Sequence, residues 1–144
     1  MAQINAYLTF NGNCGEAFEF YKTVFGGSYR VFSSFGDMPA TPGYEVPASE
    51  KNKIMHVSLP ISKETILMGS DTNAMHGDVV IGQNISLSVN THSKEEAGDI
   101  FNKLAAGGQI TMPIADTFWS AYFGMLVDKF GILWMVNYDA PKEG

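Results

Sequence analysis

Cysteine and basic charge are both scarce in this chain, and each scarcity removes a class of function. The single cysteine, Cys14, can form neither an internal disulfide nor a cysteine-rich metal cluster, which agrees with a reducing compartment. Nine dispersed lysines and arginines face fifteen acidic residues, giving a formal net charge of −6 and no electrostatic footprint for DNA or RNA. No apolar run approaches the roughly 18 residues that would suggest a membrane span, and the N-terminus lacks the basic-then-apolar order of a secretory signal. The expectation is a cytoplasmic protein with neither nucleic acid nor membrane as partner. What is present is apolar mass. The 144 residues are 45% hydrophobic, enough for one domain with a real core or for two half-domains.

A repeat organises that mass. NCGEAFEFYKTVFGG (13–27) and SKEEAGDIFNKLAAGG (93–108) each open on a suitable N-cap, Asn13 or Ser93, with Glu16 or Glu96 at the capping-box spacing. Apolar residues then recur in step, at Ala17, Phe20, Tyr21, Val24 and Phe25 and at Ala97, Ile100, Phe101, Leu104 and Ala105. This is the stripe of an amphipathic helix with one buried face, and both copies run into a Gly-Gly stop. Helices are expected over 14–25 and 94–106.

Each helix follows an alternating segment, INAYLTF (4–10) or NISLSVN (84–90), with the period of a half-buried strand. Ile4, Ala6, Leu8 and Phe10 form one apolar face, as do Ile85, Leu87 and Val89. Asn5, Tyr7 and Thr9, and Asn84, Ser86, Ser88 and Asn90, form the polar faces. Three further strand candidates follow each helix: SYRVFSS, KIMHVSLP and ETILMGS, then QITMPIA, SAYFGMLV and ILWMVNY. The order β-α-β-β-β therefore occurs twice, in modules over 1–71 and 84–138 joined by a linker over 72–83 within a single 144-residue domain. Asp128-Lys129-Phe130-Gly131 reads as the hairpin turn between the last two strands, with Gly131 supplying a positive φ. The stretch 36–52, with three prolines, is a long loop of the kind that often carries function.

The segments GNCGEAFEFYKTVFGG, IMHVSL, ILMGSD, GGQITMP, DTFWSAYFGMLVDKFG and WMVN, in this order over nearly the whole chain, resemble the PhnB-like family of the vicinal-oxygen-chelate superfamily, which includes glyoxalases, bleomycin-resistance proteins and dioxygenases. The resemblance implies an α+β fold of two paired βαβββ modules, each a curved half-barrel backed by its helix, with a cavity between paired modules. It also implies a homodimer, to which the strand edges left by two curved half-sheets point independently. Relatives isomerise hemithioacetals, cleave catechols, add thiols to fosfomycin or sequester a drug, so the fold does not choose the chemistry.

Metal-using relatives place His, Gln or Glu ligands on the first and last strands of each module. Strand parity projects those positions onto Asn5, Asn84, Met68 and Met135, whose amides and thioethers are poor ligands for a hard or borderline divalent ion. No metal and no other cofactor is expected. His56 is the candidate catalytic residue, because imidazole is the side chain whose charge changes near neutral pH. Its competing role is a buried neutral ring hydrogen-bonded to a neighbouring strand. Asn5, Tyr7, Ser86, Trp119 and Phe123 are the candidate ligand-binding residues, the aromatics forming a wall for a flat or apolar ligand unless they are core. In a regular strand Trp119 and Phe123 share one side and Tyr122 takes the other. Cys14, at a helix start with no nearby base, reads as a small packed thiol, and His76 and His92 receive no role.

Two function classes remain. One is a metal-free small-molecule binder, or an enzyme of unassigned chemistry using His56 and the aromatic wall. The other is a metal-dependent lyase, isomerase or dioxygenase. A ubiquinone methyltransferase finds no support, since no Gly-rich strand-to-helix nucleotide turn of the Rossmann kind is present.

Overall fold

A buried carboxylate at the end of one strand sets the first half of the fold. The computed structural model describes residues 2–39, 42, 43 and 45–141, and the chain divides into two compact units, Met1–Val80 and Ile81–Gly144. In the first, β1 (Ala6–Phe10), α1 (Cys14–Phe25), β2 (Val31–Ser34), β3 (Ile54–Pro60) and β4 (Ile66–Asp71) build a mixed sheet of order β1-β4-β3-β2. β1 runs parallel to β4, and the other pairs are antiparallel. Asp71 closes β4 and is buried; its Oδ1 accepts the amides of Gly12 (3.0 Å) and Cys14 (2.9 Å) and its Oδ2 accepts that of Ile54 (2.8 Å). One side chain thus joins the end of β1, the first turn of α1 and the first residue of β3.

The cap expected from Asn13 is absent, because that work is done by Asp71: Asn13 makes no side-chain cap bond. The buried face of α1 is also turned from the expected stripe. Cys14, Ala17, Phe18, Tyr21 and Val24 are buried, whereas Phe20 and Phe25 sit at the margin. Phe18 replaces Phe20 in the core because it stands over Gly69 of β4, where an added Cβ would meet its ring at 2.7 Å and the Leu8 carbonyl at 2.6 Å. Glycine lets helix and sheet approach.

The second unit repeats the architecture with β5 (Leu87–Asn90), α2 (Lys94–Ala105), β6 (Gln109–Asp116), β7 (Ala121–Val127) and β8 (Leu133–Asp139), in the order β5-β8-β7-β6 with β5 parallel to β8. Here the expected side-chain cap is present: Ser93 Oγ accepts the Glu96 amide at 3.0 Å, while Glu96 Oε1 accepts the amide of His92 at 3.3 Å. Ala97, Phe101 and Leu104 are buried, and Phe101 seats on Gly124, where a Cβ would lie 2.7 Å from its ring. The Asp128 turn joins β7 and β8 as read from the sequence. Asp128 Oδ1 accepts the amides of Phe130 (2.8 Å) and Ile132 (3.1 Å), Oδ2 accepts Trp134 Nε1 (2.8 Å), and Gly131 has φ +91°.

Both first strands begin later than their alternation suggests. β1 starts at Ala6 and β5 at Leu87, and Ile4 and Ile85 are 98% and 74% exposed rather than on a buried face. Hydrogen-bonded partners exist only from Ala6 opposite Leu67 and from Leu87 opposite Trp134. The segment read as a linker is fastened to the first unit through residue 79: Thr72 N donates to the Phe10 carbonyl, and the Asn11 amide both donates to and accepts from the Val79 backbone. Two short 3-10 turns, Phe35–Asp37 and Ala48–Glu50, lie at the ends of the long loop, whose residues 40, 41 and 44 fall outside the described set. Among the described residues no helix is long and apolar enough to cross a membrane.

Asp71→Ala deletes three charge-assisted bonds and leaves three amides to find new partners. It should lower unfolding stability by about 3 kcal/mol or more. Urea titration followed by circular dichroism measures this, and an effect below about 1 kcal/mol would remove Asp71 from its central role.

Candidate functional site

On each sheet, side chains alternate between the face under the helix and the face away from it. Val57, Leu59, Leu67 and Gly69 take the helix face of the first sheet, as Gly124, Leu126, Trp134 and Val136 do in the second. The remaining face is open. In the first unit it carries the direct cross-strand row Tyr7, Met68 and Ser58, with His56 two residues before Ser58. Tyr7 and His56 reach across β4: their rings stack with centroids 5.8 Å apart and planes inclined by 23°, and Tyr7 Oη lies 3.4 Å from His56 Nδ1. Tyr7 is 47% exposed and His56 half-buried.

His56 is half-buried, and its hydrogen-bond partner is the Tyr7 hydroxyl two strands away rather than a backbone group of the neighbouring strand. With Tyr7 donating to Nδ1, Nε2 presents a hydrogen to a ligand; with the tautomers exchanged, Nδ1 donates to Tyr7 and Nε2 accepts a proton. Either state makes the pair a proton donor and acceptor beside Met68, on a face that also carries the hydroxyls of Ser58, Thr9 and Ser70.

In the second unit the corresponding rows are Ser88, Met135 and Met125, then Asn90, Asn137 and Phe123. Trp119 lies in the turn before β7, not in the strand, and its ring meets Phe123 edge-on at 5.9 Å. Thr117 shapes that turn by exchanging hydrogen bonds with Ala121, and Ser120 adopts φ +69°. Trp119 is 50% exposed, so it is surface and not core. Tyr122 points the other way, under Lys94 at the start of α2, with Nζ 5.3 Å from the ring centroid. Lys94 also pairs with Asp116 at 2.7 Å, and that bond raises its pKa.

Of the six sequence-derived site residues, the structure joins Tyr7 to His56 in the first unit and Trp119 to Phe123 in the second. Asn5 precedes β1 and Ser86 precedes β5, so neither occupies the strand position expected of it. Sequence alternation missed Asn90 and Asn137, whose side chains bond to each other on the open face at 3.3 Å. The signal was present in the polar alternation ending at Asn90, but only the parallel β5–β8 register brings Asn137 beside it.

The ligand positions of a divalent ion do not fit the open faces. Asn84, like Asn5, lies outside the strands, and the rows that remain offer Tyr7 with Met68 and Ser88 with Met135. Thioethers and neutral hydroxyls suit such an ion poorly. Among the described residues no cluster of three His, Cys, Asp or Glu side chains could hold one. Cys14 is buried beside Asp71, and burial, reinforced by that carboxylate, pushes its thiol far above the usual range.

Two βαβββ units, each a mixed four-stranded sheet with one helix on one face and a polar-aromatic surface on the other, have the fold of the glyoxalase/bleomycin resistance proteins. The family described as 3-demethylubiquinone-9 3-methyltransferase matches residues 2–137. Protein YjdN of Escherichia coli K12 is 32% identical over 143 residues, covering 93% of both chains. The crystal structure of PA1353 from Pseudomonas aeruginosa is 44% identical, covers 96% of this chain and 98% of its own, and superimposes with a TM-score of 0.83. A Bacillus cereus PhnB protein, described as a putative 3-demethylubiquinone-9 3-methyltransferase, is 26% identical over 95% of this chain and 99% of its own, with a TM-score of 0.72. A glyoxalase/bleomycin resistance protein/dioxygenase family enzyme from Burkholderia phytofirmans shares the fold alone, at 15% identity over 94% and 98% of the two chains and a TM-score of 0.59. The chain belongs to the matching family, is PhnB-like, and shares its fold with glyoxalase/bleomycin resistance proteins.

The Cys14 thiol should resist 5,5′-dithiobis(2-nitrobenzoate) in the native protein and react stoichiometrically once urea unfolds it. Release of one thiolate equivalent within seconds under native conditions would show a reactive cysteine.

Proposed function

We propose that this PhnB-like protein binds a small organic molecule through the open faces of its sheets, using the Tyr7–His56 pair and the Trp119–Phe123 wall, without the divalent metal usual in the superfamily. The observation that carries the reading is the stacked, hydrogen-bonded Tyr7–His56 pair beside Met68, where a metal-using relative would need a harder donor. An imidazole held by a phenol can orient a polar ligand or move a proton at Nε2, and the exposed indole offers a flat apolar contact. Asn5 and Ser86, near the starts of β1 and β5, belong to the proposed ligand surface as flanking polar groups.

The methyl transfer named in the family description is not the activity this geometry favours. The first amide of α1, that of Cys14, and the Gly12 amide just before the helix, which in a nucleotide-binding half would face the cofactor, are engaged by Asp71. The same occupancy argues against an anionic ligand at that helix terminus.

His56→Ala should abolish or strongly weaken retention of a co-purifying small molecule in native mass spectrometry. Its effect on stability should stay below about 1 kcal/mol, because the ring is half-exposed. A loss of roughly 1–3 kcal/mol with ligand retention unchanged would make His56 structural. Elemental analysis is the second arm: a stoichiometric divalent metal bound through these strand positions would restore the lyase, isomerase or dioxygenase alternative.

A homodimer belongs to the same proposal. The edge strands β2 and β6 carry exposed Val31, Phe32, Ile110 and Met112, apolar margins that a soluble protein normally covers. Light scattering at micromolar concentration should give twice the chain mass of 15.7 kDa, and a dilution-insensitive monomer would refute the dimer.

A further inference from the structure

Deepening the proposed reading, and resting on it, we propose that Asn90, Asn137, Phe123 and Trp119 form a subsite for a neutral, planar bicyclic heteroaromatic ring with a lactam or carboxamide edge. Phe123, Asn137 and Asn90 stand in one row across β7, β8 and β5, each the direct cross-strand partner of the next. Their common face is the open one, because the neighbouring row, Gly124 and Val136, lies under α2. Trp119 adds its ring to that of Phe123 at 5.9 Å, so one end of the row is aromatic and the other is amide.

The amide end has the right valence for a lactam. Asn137 Nδ2 donates to Asn90 Oδ1 at 3.3 Å, a bond that leaves the second Nδ2 hydrogen and the Oδ1 of Asn137, and the NH2 of Asn90, unused by that contact. A side-chain amide meets a cis-amide edge through one donated and one accepted hydrogen bond, which a bare arene cannot reciprocate. The backbone beneath is fixed: the Asn137 carbonyl accepts both the amide (2.9 Å) and the hydroxyl (3.1 Å) of Thr91. Strands spaced by about 4.8 Å put Phe123 and Asn90 roughly 10 Å apart, the span of a two-ring system with its polar edge. None of the four side chains carries a charge, and Asp139, two residues along β8 from Asn137 and so on the same face, opposes an anionic ligand.

The test compares isoquinolin-1(2H)-one with isoquinoline, which has the same shape but lacks the N–H and C=O pair. Binding is read from Trp119 fluorescence, Trp134 being buried, and from the side-chain amide signals of Asn90 and Asn137 in 15N–1H spectra. The lactam should bind about tenfold more tightly than isoquinoline and move both amide signals. Asn137→Leu should remove that preference while retaining the wild-type melting temperature within a few degrees, and Trp119→Ala should weaken both probes. Equal affinity for the two probes, lactam binding unchanged in Asn137→Leu, or no binding of either would overturn the subsite. If the subsite fails while a co-purifying molecule is still lost on His56→Ala, the broader reading stands and this inference alone falls. If His56→Ala has no effect on any ligand while the lactam preference holds, the outcome is the reverse.

Discussion

The first unit depends on one desolvated carboxylate. Asp71 is buried, and a buried anion is tolerated only where hydrogen-bond donors replace its lost water. Three backbone amides from three separated segments supply them. Because the donors belong to the end of β1, the start of α1 and the start of β3, the carboxylate is satisfied only when those segments are already in place around β4. The parallel β1–β4 pairing, which needs a long crossover and gains little from local contacts, is thereby tied to the helix that opens the crossover and to β3, the strand that closes it.

The second unit reaches the same architecture with a different device. Its buried carboxylate, Asp128, sits in the β7–β8 hairpin and holds two loop amides and the indole of Trp134, while its helix is capped locally by Ser93. What the two copies share is a steric arrangement: an aromatic ring of the helix, Phe18 or Phe101, seated on a strand glycine, Gly69 or Gly124. The ring-on-glycine contact thus recurs in both units while the polar fastening does not. The electrostatic setting differs too, since the N-terminal dipole of α1 is met by a buried carboxylate and that of α2 by a neutral hydroxyl together with the exposed carboxylates of its first turn, Glu95 and Glu96.

The repeat, both helix positions and the order of all eight strands were legible in the sequence because each rests on local periodicity and local stops. The first helix begins and ends at the expected residues, and the second ends one residue early, at Ala105. What failed were features decided at a distance. Asn13 looks like a cap by its neighbours, but Asp71, remote in sequence, occupies the amides. Phe20 fits the apolar stripe as well as Phe18 does, and only the gap over Gly69 chooses between them. Ile4 and Ile85 continue the alternation of their strands, yet no partner strand extends far enough to pair with them. The site followed the same rule. Tyr7 and His56 were legible as polar strand residues, whereas Asn90 and Asn137 became a pair only through the β5–β8 register.

These constraints leave the open faces as the place where sequence can vary without cost to the fold. The helix sides are fixed by glycine, aromatic rings and buried carboxylates, so substitutions there meet close contacts of less than 3 Å. The open faces carry Met68 and Met135 at the centre of each sheet, and a thioether is deformable and apolar, able to contact rings of many shapes. Around these methionines the two units have diverged in opposite directions. One sets a titratable imidazole and a phenol beside the thioether, and the other an indole, a phenyl ring and two neutral amides. The duplicated fold thus keeps its helix-side packing identical in kind while its open faces differ in kind: an imidazole beside a phenol can donate, accept or carry a proton, whereas neutral amides beside aromatic rings offer only hydrogen bonds and shape.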